Sequence, residues 1–83
     1  MPYITKTADI LNTHPGDVVT YTYTFFNDHF LLPATVNRIE DDYFGDIWVG
    51  VQLVLAGQNH SWTHQRTADC TTITNRARAY YLI

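Results

Sequence analysis

The chain has 83 residues, 46% of them apolar and 14% aromatic, and a formal net charge of −3 at pH 7. That makeup describes a single domain, residues 1–83, with a small core, and excludes a disordered chain. The acidic balance argues against a nucleic-acid partner, and the absence of an apolar run of about 18 residues excludes a helical membrane span.

Met1-Pro2-Tyr3-Ile4 lacks a charged-then-apolar leader, so the chain reads as an excised or processed piece or as a cytoplasmic protein. The first predicted strand runs from Tyr3 to Ala8. His14-Pro15-Gly16-Asp17 is a turn, since Pro presets one dihedral and Gly accepts the left-handed one. It feeds a second strand, Asp17 to Asn27. There Val19, Tyr21, Tyr23 and Phe25 share one face while Thr20, Thr22 and Thr24 share the other, which predicts a sheet with one dry and one wet face. Asn27-Asp28-His29 turns the chain, and Pro33 opens a third strand, Ala34 to Asp41. Asp42 to Gly45 is an acidic connection, and a fourth strand spans Ile47 to Val54 with a potential break at Gly50. Ala56-Gly57-Gln58-Asn59 is a turn before the fifth strand, His60 to Thr67, and the last strand runs from Thr71 to Leu82. No segment has a helical period, and there is no internal repeat or linker. Short strands punctuated by turns predict an all-β, antiparallel β-sandwich of about six to seven strands.

Five landmarks in order carry a resemblance: Ile4-Thr5-Lys6-Thr7-Ala8-Asp9, Pro15-Gly16-Asp17 with the Thr/Tyr run to Thr24, Asp41-Asp42-Tyr43-Phe44-Gly45, Leu55-Ala56-Gly57, and Thr74-Asn75-Arg76-Ala77. The pattern resembles the repeat domain of unknown function found in tandem in bacterial and archaeal cell-surface proteins, over nearly the whole chain. The resemblance implies an immunoglobulin-like sandwich in a stalk, adhesin, surface layer or fibre, with neighbouring repeat domains or copies of itself as partners. The chain departs from the family at Ala56, which no Pro follows, at Asn27-Asp28-His29-Phe30, where the family has a Gly-containing turn, and in a polar, aromatic fifth strand.

Strand parity adds an independent expectation. Lys6 shares a face with Ile4 and Ala8, Asp41 with Ile39, and Asn75 with Ile73, Ala77 and Ala79. If the apolar faces point inward, a Lys, an Asp and an Asn point inward too, and burying them without partners costs several kcal/mol. The three are therefore expected to meet. Their composition resembles the self-formed isopeptide sites of Gram-positive pilin and adhesin sandwiches. A desolvated Lys6 amine would attack the Asn75 amide while a buried, protonated Asp41 polarises it, with no cofactor needed. Such a staple would compensate for the missing disulfide, because Cys70 is the only cysteine. The alternative is a buried Lys6–Asp41 salt bridge capped by Asn75, or a Lys6 that reaches out to the edge. Glu40 is the second candidate acid, but its parity points outward.

Other groups have competing readings. Glu40, Asp41, Asp42 and Asp46 crowd one turn, as a Ca²⁺ loop would, but without an EF-hand frame they read as a solvated acidic turn, and no metal is expected. His60 and His64 share a strand face about 13 Å apart, too far for one ion, and read, like His14 and His29, as surface residues. Asn59-His60-Ser61 is a glycosylation sequon. Trp48 and Trp62, with Tyr80 and Tyr81, form a candidate carbohydrate platform, though half of such aromatics should fill the core. Cys70 has no activating base nearby, Arg76 and Arg78 read as a solvated face, and no catalytic set or phosphate loop is present.

The expectation is therefore a non-enzymatic structural module of an extracellular filament, stalk or cell-surface protein, stapled between Lys6 and Asn75. The rival is a carbohydrate- or protein-binding adhesin module using Trp62 and its neighbours. Head-to-tail stacking further predicts termini at opposite ends of the sandwich.

Overall fold

The computed structural model describes residues 1–70 and 76–83. Among them six strands follow one another: β1 (Tyr3–Ala8), β2 (Val18–Phe26), β3 (Ala34–Asp41), β4 (Gly45–Val54), β5 (Asn59–Thr67) and β6 (Ala77–Leu82). They form two antiparallel three-stranded sheets, ordered β1-β2-β5 and β4-β3-β6. The all-β architecture is that of a small β-sandwich, as the alternating pattern predicts. β1 and β3 match their expected bounds, and β4 runs unbroken through Gly50. The first part of the expected last strand, residues 71–75, lies outside the described residues, and Asn75 with it.

The inward faces close on Tyr23, Phe25, Ala34, Val36, Ile39 and Val54, with Ile4, Trp48, Trp62 and Tyr81 packed around them. One face of β2 supplies Val19, Tyr23 and Phe25 at 2% exposure or less, while its threonines stay half-exposed. That is the two-fold periodicity of a sheet with one wet side. β1 lies over β6 and β5 over β4, so each side of the sandwich shows one edge from each sheet.

One end of the sandwich is tied by Asn27. Its Nδ2 donates to the carbonyls of Leu32 and Val54, both at 3.0 Å, and its Oδ1 accepts the His29 N–H at 3.1 Å. Both chain termini leave at this same end. The Met1 ammonium pairs with Asp28, Tyr3 sits opposite Phe26, and at the other terminus Leu82 sits opposite Thr35. This corrects the expectation of termini at opposite ends. The cause is topological: β1 and β6 face each other and run in opposite directions, with Ile4 and Tyr81 on one groove and Lys6 and Ala77 near Asp41.

Candidate functional site

Asp41 ends β3 with its side chain turned between the sheets and fully buried. Two of its contacts come from its own turn: Oδ1 accepts the backbone N–H of Tyr43 at 2.9 Å and of Phe44 at 3.3 Å. This is an Asx turn, a local bond that Asp makes readily, and Gly45 completes it at φ +80°, where a Cβ would be strained. The carboxylate that shapes the β3–β4 hairpin is thus aimed inward by the same geometry.

Its other oxygen reaches the opposite sheet. Oδ2 accepts the Lys6 ammonium at 2.8 Å and the Tyr23 hydroxyl at 2.6 Å. Lys6 comes from β1 and Tyr23 from β2, paired as direct cross-strand neighbours. The ammonium also lies 4.5 Å from the Tyr21 ring centroid and 5.3 Å from that of Phe44, within cation–π range. Lys6 therefore sits in an aromatic box, its side chain only 15% exposed. Burial, then the hydrogen bond to Asp41 and its negative charge, push the Tyr23 hydroxyl well above the ordinary tyrosine value.

Two members of the expected trio meet, and they meet across the two sheets. The third, Asn75, lies outside the described residues. Arg76, next in the chain, donates its N–H to Asp42 Oδ1 at 2.8 Å and accepts the Asp42 N–H at 3.0 Å, one residue from Asp41. In each of the four described contacts an Asp41 carboxyl oxygen accepts from a donor. Sequence reasoning missed Tyr23, because a tyrosine on an apolar face reads as core. Only its unpaired hydroxyl, which a buried site must satisfy, could have flagged it.

The remaining acidic residues diverge. Asp46 and Glu40 pair with Arg38, both at 2.6 Å, Glu40 also faces Arg78 at 3.6 Å, and Asp42 holds Arg76. Among the described residues no three metal-ligating side chains converge. His60 and His64 depart from the surface placement expected of them. Both sit half-buried on the inward face of β5, His60 edge-on to Trp62 and His64 against Phe44 at 4.7 Å. Trp62 and Trp48 pack on each other across the sheets with centroids 5.1 Å apart, closing the β4/β5 side of the core. Cys70 is free and exposed.

Comparison with protein-family models, with curated proteins and with solved structures returned no match.

Proposed function

We propose that this domain is a non-enzymatic structural module of a cell-surface or other extracellular protein, an immunoglobulin-like sandwich whose two sheets are locked together through Lys6. The observation that carries this reading is the Lys6–Asp41–Tyr23 cluster, in which three strands from both sheets converge on one buried carboxylate. The chain's polar chemistry is turned to holding the fold together. The order of sequence landmarks shared with tandem cell-surface repeats supports the same reading. Trp48 and Trp62 lend it support too, since they face each other and not outward as a sugar platform would. With both termini at one end, copies joined through them do not stack head to tail along the long axis, so a filament or stalk of such modules would have to join through its sides.

Within this reading Lys6 forms an isopeptide bond with Asn75. Asp41 Oδ2, already accepting a hydrogen bond from the Lys6 ammonium, is placed to take one of its protons. The neutral amine then attacks Cγ of Asn75. The new N–C bond forms, the Cγ–Nδ2 bond breaks, an amine proton passes to the leaving nitrogen, and ammonia departs. The aromatic box and the buried carboxylate exclude water, and the fold supplies the effective concentration.

An accurate intact mass tests the staple. The expected mass lies about 17 Da below that of the sequence, one ammonia lighter. Asp41→Ala is expected to abolish the ammonia loss in a folded but weaker domain, and Lys6→Ala to do the same. By the loop-closure argument used for disulfides, the bond is worth roughly 4 kcal/mol. A wild-type mass equal to that of the sequence overturns the staple and leaves the ion pair as the lock.

A further inference from the structure

Each sheet of the sandwich has two open edges, and natural proteins blunt such edges with prolines, bulges or inward charges. Three of the four edges here carry such a device. β1 begins beside Pro2 and turns Lys6 inward. β4 is kinked by two register shifts against β3, between Val36 and Arg38 and between Ile39 and Glu40. β5, Asn-His-Ser-Trp-Thr-His-Gln-Arg-Thr, alternates polar side chains on both faces. β6, Ala-Arg-Ala-Tyr-Tyr-Leu, has no proline and no inward charge, and its one register shift against β3, between Val36 and Arg38, falls at the Tyr80–Tyr81 step with the extra residue on β3. Its pairing with β3 is continuous from Ala77 to Tyr80, and among the described residues its other edge has no partner strand. Beside that edge an apolar groove opens between β1 and β6, lined by Ile4, Phe25, Ala79 and Tyr81.

We propose that the free edge of β6 is an interaction surface for a second copy of this chain, the two β6 strands pairing antiparallel about a two-fold axis at Tyr80. This register is self-complementary in size. On the inward face it sets Ala79 opposite Tyr81 of the second copy, so a small residue meets a large one twice. On the outward face it sets Arg78 opposite Leu82 and Tyr80 opposite Tyr80. The register also keeps like charges apart. Arg78, the only charge in β6, already lies 3.6 Å from Glu40, and the two Arg78 residues end up about 13 Å apart along the strands. The two β4-β3-β6 sheets become one sheet of six strands, an isologous closure that leaves no further β6 edge to extend. The proposal deepens the reading of copies of this chain as partners and rests on it. Its failure is read in the association state, whereas failure of the staple is read in the monomer mass.

Sedimentation velocity over a concentration series tests it, with cysteine pairs to read the register. The intact chain is expected to show a concentration-dependent dimer. Tyr80→Lys, which sets two like charges face to face at the axis, is expected to weaken it about tenfold. In a Cys70→Ser background, Tyr80→Cys is expected to form a disulfide dimer on mild oxidation, since directly opposed Cβ atoms lie about 5 Å apart. Leu82→Cys in the same background is not, because its two thiols would be about 13 Å apart. A chain that remains monomeric at every soluble concentration overturns the proposal, as does equal cross-linking at the two positions.

Discussion

At the scale of single residues, Tyr23 is a group whose titration the fold controls strongly. Its hydroxyl is buried, donates to Asp41 at 2.6 Å and is pushed above the ordinary tyrosine value. The folded state therefore holds a proton that the unfolded chain releases near pH 10. The stability this contributes is fully present below about pH 10 and is lost progressively as the pH rises beyond it. Urea midpoints measured from pH 7 to pH 11 are expected to be flat and then fall. Tyr23→Phe is expected to lose about 2 kcal/mol at pH 7, the worth of a hydrogen bond to a charged group, and to fall less steeply in alkali. A mutant with the wild-type alkaline slope would show that another group governs it. The parity of Lys6 and Asp41 was legible in sequence, because a charged residue on an apolar strand face has few places to go. Asn27 was not. It reads as a turn former, yet it is 1% exposed and fully bonded, and only the arrival of Leu32 and Val54 from distant segments makes it a buried tie.

At the scale of elements, Gly50 explains why β4 continues where its sequence suggests a break. The Trp48 indole lies back along the inward face over Gly50, and a Cβ there would stand 2.7 Å from the ring. The glycine is required by a close approach, one of the few reasons for glycine inside a strand. The ring cannot swing away freely, because Trp62 packs against it from the other sheet. Gly50→Ala is expected to cost about 1–3 kcal/mol, as overpacking does, and to diminish the near-UV circular dichroism of the Trp48–Trp62 pair. An unchanged spectrum and urea midpoint would mean that the ring is not held as described. Five strand positions were legible from the two-residue period alone. The irregularity around Asn37 was not: Val36 and Ile39 both face inward although they stand three apart, and a bulge hides from any strict alternation. In β4, by contrast, strict alternation from Trp48 to Val54 leaves Val49, Val51 and Leu53 on the outward face, more than half exposed.

At the scale of the whole molecule, the sandwich measures 45 × 19 × 16 Å, with both termini at the Asn27 end of its long axis. Strand count follows from pattern, but the pairing of the strands into two sheets and the direction in which β6 leaves do not. Both depend on which strand lies over which, a fact of packing and not of periodicity. The placement sets how the domain would respond to a pull between its ends. Force applied there acts across the strands, so the ladder opens like a zip and not by sliding. On one side the front runs down β1 through Tyr3–Phe26, Ile4–Phe25 and Thr5–Thr24, and the next pair is Lys6–Tyr23. On the other side it runs down β6 from Leu82–Thr35 to Ala77–Asp41. Both fronts arrive at the same carboxylate. Asp41 is thus the arrest point of mechanical opening from either terminus, with three pairs of β1 acting as a compliant lead that yields before the lock is loaded.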